Sequence, residues 1–126
     1  MGKKKGNRQL ADNSAKAVLR NVRISPRKAG LVAGLIRGKS VTKALNELSV
    51  STRRISKDVR NLLLSAVANA ENNHGLDIDS LVVKEAHVGK GLVMKRWHAR
   101  GRGRSAKILK PFSHITVVVS EEEVRA

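Results

Sequence analysis

The chain contains no cysteine, no tyrosine, one tryptophan, one phenylalanine and two prolines in 126 residues. Without cysteine there are no disulfides and no thiolate zinc site, which is compatible with a reducing cytosol. No run of 18 apolar residues occurs, so no membrane-spanning helix is expected. The N-terminus is basic but lacks the apolar segment of a secretory signal. With so few aromatics, the core must be built from Val, Leu, Ile and Ala. An apolar content of 40% supports one modest core and one domain. Acid is scarce too: 10 Asp and Glu face 26 Lys and Arg, for a formal net charge of +16. No carboxylate side chain occurs anywhere from Ala86 through Ser120. Charge of one sign at this density repels itself and calls for a counter-charge. Nucleic acid is the first candidate, and an anionic membrane surface a weaker one.

The acid-free segment is richest in cations over residues 94–110, MKRWHARGRGRSAKILK. It holds Lys95, Arg96, Arg100, Arg102, Arg104, Lys107 and Lys110. Strand-like runs flank it at 81–88 and 114–119. The whole reads as a long β-hairpin over about 82–119 with a basic tip at about 94–107. Two ladders of about a dozen residues at ~3.3 Å each would reach roughly 40 Å. A lone two-stranded ribbon is marginal in water, so an anionic partner with many phosphates along a long path is expected to hold it. Arginine forks phosphate and stacks on bases, whereas lysine supplies a point charge. Trp97 and His98 are candidates to stack on bases. The alternative for Trp97 is a cross-strand contact within the hairpin. Met94 is the better candidate for packing along the ribbon.

The remaining chain reads in order as follows. Residues 1–13 carry Lys3, Lys4, Lys5 and Arg8 and form a basic disordered arm or a solvated tail. Residues 15–24 read as a strand bearing Lys16, Arg20 and Arg23. Ser25 fits a helix N-cap with Pro26 at the first helical position. That helix should run to about Arg37, with Leu31, Leu35 and Ile36 in the core. Gly30 and Gly34 fall one turn apart and suggest close approach of another backbone. Ser40 caps a second helix over 41–48, buried through Val41, Ala44, Leu45 and Leu48. A third, over about 53–73, presents Ile55, Val59, Leu62, Leu63, Ala66, Val67 and Ala70, then stops near Gly75. Arg53, Arg54, Lys57 and Arg60 crowd its start against the helix dipole, a mismatch that a phosphate would reverse. Glu71, Asp77 and Asp79 mark the end expected to face away from nucleic acid. Residues 121–126 form an acidic tail. The expected class is α+β: three helices packed on a small antiparallel three-stranded sheet, with one long protruding β-hairpin. One domain over 14–120 is expected.

Nothing points to catalysis. His74, His87, His98 and His114 are scattered and show no metal-ligand spacing. Gly38-Lys39-Ser40 lacks the upstream glycine of a phosphate loop, because position 33 is Ala. No metal and no cofactor are expected.

Three runs carry a resemblance: SPRKAGLVAGLIRGKSVTKAL, KDVRNLLLSAVANAENNHGLD and GLVMKRWHARGRGRSAKILKPFSHITVVVSE. Together they resemble the bacterial large-subunit ribosomal protein twenty-two family over about residues 15–120. The resemblance implies a globular part near the exit of the polypeptide tunnel and a hairpin threading large-subunit (23S) rRNA. It implies a tip that lines the tunnel wall beside the nascent polypeptide, a role in early subunit assembly, and other large-subunit proteins as neighbours. By position, Met94, Lys95, Arg96, Trp97, His98, Arg100, Arg102, Arg104 and Lys107 match the tip. Arg27, Lys28, Arg37 and Lys39 match rRNA-contact positions. With them, Lys16, Arg20, Arg23, Arg53, Arg54, Arg60, Lys90, Lys110 and His114 complete the candidate rRNA-binding set. At the tip, family members often carry proline, arginine and alanine after the MKR. Here Trp97-His98-Ala99-Arg100-Gly101 stands instead.

The expected role is therefore a cytoplasmic, ribosome-bound structural protein. A free architectural DNA-binding protein is the first rival, but such proteins commonly place an apolar wedge at a ribbon tip. An RNA-modifying or nuclease enzyme is the second, and would need a convergent acid, base or metal group.

Overall fold

The computed structural model describes Gly2 and residues 12–121. The basic arm over 1–13 therefore falls largely outside the described residues, as does the tail after Glu121. Three strands and three α-helices follow in the order β1 (Ser14–Val22), α1 (Pro26–Ile36), α2 (Val41–Val50), α3 (Ile55–His74), β2 (Leu81–Ala99) and β3 (Ser105–Glu121). A short 3-10 turn, Ile78–Ser80, leads into β2. The sheet is antiparallel in the order β1-β3-β2, so the last strand lies in the middle. The α+β class and the helix trio on a three-stranded sheet are as expected.

The helix boundaries follow from local chemistry. Ser25 Oγ accepts from the Lys28 N–H and Pro26 opens α1, where a missing N–H leaves no helical bond unmade. Ser40 Oγ accepts from the Lys43 N–H to start α2. Gly75 ends α3 at φ 62°, with its N–H returned to the last turn. This left-handed cap favours glycine. β1 stops at Val22, two residues before the expected end, because Ile24 N–H turns back onto the Val22 carbonyl at 2.8 Å.

The core lies between one face of the sheet and the helices. It combines Ala15 and Ala17 of β1, Leu81, Val83 and Ala86 of β2, and Ile115, Val117 and Val119 of β3 with the helix stripes. On α3 the seven expected apolar positions are all buried. On α2, Val41, Ala44 and Leu48 are buried and Leu45 packs against the core. On α1 the expectation holds for Ile36 alone: Leu31 and Leu35 are 56% and 40% exposed, while Ala29, Val32, Ala33 and Ile36 are buried. Those four also lie at i, i+3, i+4, i+7, a second stripe that brings small residues to the interface. A Cβ on Gly30 or Gly34 would meet nothing within 4 Å, so among the described residues no backbone beyond their own helix approaches them.

β2 and β3 continue as a ribbon beyond the body. Pairing runs to Ala99↔Ser105, so the unpaired turn is residues 100–104, narrower than the expected tip. With 19 residues, β2 spans about 60 Å at ~3.3 Å per residue. Two register shifts each place one extra residue on β2, between Val83 and Glu85 and between Lys90 and Val93. At the second, a Cβ on Gly91 would lie 3.0 Å from the Phe112 carbonyl oxygen, so the strands cross closely there. A further shift between Leu19 and Val22 accommodates Asn21 at φ 57°, a conformation that Asn tolerates better than most residues. Glu121 belongs to β3 rather than to a free tail. Its backbone N–H donates to the Asn13 carbonyl, and its carboxylate accepts from the Asp77 N–H.

Leu63 is fully buried, so Leu63→Ala should lower the unfolding free energy by about 2–5 kcal/mol in urea titration. Replacing residues 92–110 by a two-residue Asn-Gly turn should leave cooperative unfolding intact and stability changed by no more than about 1 kcal/mol. Non-cooperative unfolding of that chain would show that the ribbon is part of the folding unit.

Candidate nucleic-acid interface

Every residue from Lys95 through Lys110 is exposed. Strand alternation sorts them into two faces. Lys95, Trp97 and Ala99 share one face with Ser105, Lys107 and Leu109. Met94, Arg96 and His98 share the other with Ala106, Ile108 and Lys110. Trp97 stands directly opposite Lys107 and remains 75% exposed, so its ring is open to a partner. At the end, the turn 101–104 is closed by the Arg104 N–H on the Gly101 carbonyl, 3.5 Å away. Arg102 and Gly103 both have positive φ, at 62° and 68°. Gly103 accepts this freely. Arg102 carries roughly 1 kcal/mol of backbone cost and in return extends its side chain at the tip. The expected tip residues Arg100, Arg102 and Arg104 thus crowd one tight turn, and Lys95, Arg96, His98 and Lys107 line the ladder behind it.

The body contributes a connected basic tract. Arg53, Arg54, Lys57 and Arg60 line a cleft of about 450 Å³ with Leu48, Ser49 and Ser51. Arg60 Nε is fixed there by Ser49 Oγ at 3.1 Å. Arg54 also lines a neighbouring cleft of about 350 Å³ with Val22, Arg23, Ile24, Ile55 and Asp58. Arg23 in turn lines a third, of about 570 Å³, with Ile24, Ser25, Lys28, Leu109, Lys110, Pro111 and Phe112. The tract therefore runs from the start of α3, past the end of β1, to the root of the ribbon. Arg27 is exposed in the first turn of α1. On the sheet, Lys16 and Arg20 are exposed and alternate with the core-facing residues of β1. Lys90 is exposed opposite Ser113.

Besides Arg60, four candidates have side chains engaged within the chain, Arg96 only with its neighbour, from Nη1 to the Lys95 carbonyl at 2.9 Å. Arg37 donates from Nε and Nη2 to the Ala86 carbonyl, at 3.1 and 2.6 Å. With the Gly38 N–H on the Val83 carbonyl and the Val83 N–H on the Lys39 carbonyl, it closes the outer edge of β2. Lys39 pairs with Glu47. His114 Nδ1 accepts the Asn21 N–H at 3.2 Å, so a neutral His114 ring carries its proton on Nε2. Sequence reasoning passed over Ile24, Pro111 and Phe112 as site residues, since apolar residues in a basic protein give no charge signal. It also passed over Ser113, whose Oγ donates to the Ile24 carbonyl at 2.6 Å and binds the loop after β1 to β3.

Three of the acids sit apart, whereas Asp58 lies in the cleft with Arg23 and Arg54. Asp77 and Asp79 belong to the turn before β2, and Glu121 ends β3, so all three lie at the end of the ladder farthest from the tip. Asp77 is occupied by the Asp79 N–H and the Ser80 hydroxyl. Among the described residues no group of three or more His, Cys, Asp or Glu is placed to hold a metal ion. Nor, among them, is any helix long and apolar enough to cross a membrane.

Fold and surface together define a small basic α+β protein whose exposed chemistry is cationic along one tract and one ribbon. A family model described as ribosomal protein L22p/L17e matches residues 17–120. The chain belongs to that family, whose members are structural rather than enzymatic. Similar proteins include the large ribosomal subunit protein uL22 of Maricaulis maris, 64% identical over all of both chains. That of Mesorhizobium japonicum is also 64% identical, over 98% of this chain and 95% of its own. That of Sinorhizobium medicae is 60% identical, over 99% and 97%.

Because Arg37 makes a charged hydrogen bond inside the fold, Arg37→Ala should lower stability by about 1–3 kcal/mol. Arg27→Ala, on an exposed side chain, should lie within about 0.5 kcal/mol of the parent chain. Chemical denaturation of both variants without nucleic acid checks this. Equal stabilities would remove the structural role assigned to Arg37.

Proposed function

We propose that this protein is a structural constituent of the large ribosomal subunit that binds large-subunit rRNA. One observation supports this most strongly: an acid-free ribbon, exposed on both faces from Lys95 through Lys110, projects from an otherwise well-packed body. A solvated ribbon gains little from its own ladder. Phosphates along its length would neutralise its cations and hold it extended. The body tract through Arg53, Arg54, Arg60, Arg23, Lys28 and Lys110 offers a second line of phosphate contacts. Lys16, Arg20, Arg27 and Lys90 extend that surface.

In this reading the protein is cytoplasmic and ribosome-bound, and supports early subunit assembly. Its body lies near the polypeptide exit tunnel, among other large-subunit proteins. The ribbon passes between rRNA segments, and its tip, about residues 94–107 with the turn 100–104 at its end, lines the tunnel wall beside the nascent polypeptide. Arg37 and Lys39, at the edge of the body, act through the fold as well as through charge. The DNA-architect alternative is less well supported, because the turn reads Arg-Gly-Arg-Gly-Arg and holds no apolar wedge.

Replacing Arg100, Arg102 and Arg104 together by alanine should weaken binding to large-subunit rRNA. It should also flatten the plot of log affinity against log salt by about 2, at ~0.7 for each phosphate no longer neutralised. Filter binding across a salt series reads both quantities. An unchanged slope would exclude phosphate contact by these three. Failure of the parent chain to co-sediment with large subunits at moderate salt would overturn the ribosomal assignment itself.

A further inference from the structure

The cleft at the root of the ribbon differs from its neighbours in combining cations with a floor of ring and branched carbons. Its charged members are Arg23, Lys28 and Lys110, and no carboxylate lines it. Its apolar members are Ile24, Leu109, Pro111 and Phe112. The adjoining cleft includes Asp58, and the one beyond has no aromatic. The cleft has a volume of about 570 Å³ and is open to solvent along its length.

Topology gives the cleft a third property. β1 last pairs with β3 at Val22↔Ser113, so β3 has no strand on that side from Phe112 outward. Pro111 stands within this free segment, where its missing N–H leaves no bond to β1 unmade. The walls are set by bonds already described. Ser113 Oγ holds the Ile24 carbonyl, and the register shift at Gly91 presses β2 against the Phe112 carbonyl. The cleft is thus an elbow between body and ribbon, held on both sides.

We infer that this elbow seats a single unstacked nucleotide of the bound RNA. Its base lies against Phe112, Pro111 and Ile24, and its flanking phosphates meet Arg23, Lys28 and Lys110. The proposal rests on the rRNA-binding reading and adds to it a specific seat. A peptide would find cations without a matching acid requirement and no reason for the ring. A bare phosphate would leave the apolar floor wet. A nucleotide uses both, because every base offers a π face for stacking while its backbone carries the charge. Once filled, the seat wedges the angle between ribbon and body.

The test uses the full chain on protein-free large-subunit rRNA. A photoreactive benzoylphenylalanine replacing Phe112 should crosslink to one dominant nucleotide, mapped as a reverse-transcription stop. Phe112→Leu should weaken binding about five-fold or more without changing the salt slope, as loss of stacking would. Lys28→Gln with Lys110→Gln should flatten the slope by about one to two while cooperative unfolding is kept. Scattered or absent stops, crosslinks to protein alone, or both variants binding within two-fold of the parent would overturn the seat while leaving rRNA binding standing. If Phe112→Leu does not fold, the crosslink from the benzoylphenylalanine chain decides, since one dominant stop is expected only of a seated nucleotide. If the parent chain does not bind this RNA, the ribosomal reading fails and the seat with it.

Discussion

The structure depends on the continuity of β3. Its inner half, Ile115 to Val119, lies at the centre of the sheet with strands on both sides and the helix layer above. Its outer half, Ser105 to Lys110, is one leg of an unsupported ribbon. One hydrogen-bonded ladder therefore anchors an exposed, like-charged element in a packed core. The body does not need the ribbon for its own packing, but the ribbon takes its direction from the body.

Segregation of charge makes that arrangement tolerable. Had Asp77, Asp79 and Glu121 been placed along the ribbon, the cations there would have been neutralised internally. Instead they serve local bonds at the opposite end of the ladder. At short range, Lys39 and Glu47 stabilise the junction between α1 and α2 where the chain crosses the edge of β2. The pair is half-buried, and an ion pair that still reaches solvent contributes about 1 kcal/mol or less, so the junction owes more to the backbone bonds between 38–39 and Val83. The unbalanced charge is thus left where a large polyanion can reach it.

Much of this was legible along the chain because the signals are local. Ser25-Pro26, Ser40 and Gly75 act through bonds within a few residues, and the α3 stripe repeats for about four turns, from Ile55 to Ala70. The leucines of α1 misled because two stripes share Ile36, and hydrophobicity alone favours the larger side chains. Packing selected Ala29 and Ala33, which allow the helix to sit close to the sheet. Arg37 carried the same signal as any surface arginine; only the fold shows that it reaches the Ala86 carbonyl. The elbow was invisible for a different reason. It joins residues 23–28 to residues 109–112, and neither segment alone resembles a binding site. The membership in the L22p/L17e family was legible from motifs, since nearly the whole length carries them.

The two extra residues on β2 have a bearing on how such a chain can vary. Side chains alternate across a strand, so each added residue exchanges inside for outside from that point on. The first exchange brings Ala86 into the core, and the second decides that Trp97 shares a face with Leu109 rather than with Ile108. The ribbon therefore has a handed parity, like a zip whose teeth can be shifted only in twos. Substitutions along its length alter one neighbour each, whereas deletion or insertion of a single residue between Val93 and Arg96 would turn Arg96 and Trp97 to each other's side of the ribbon.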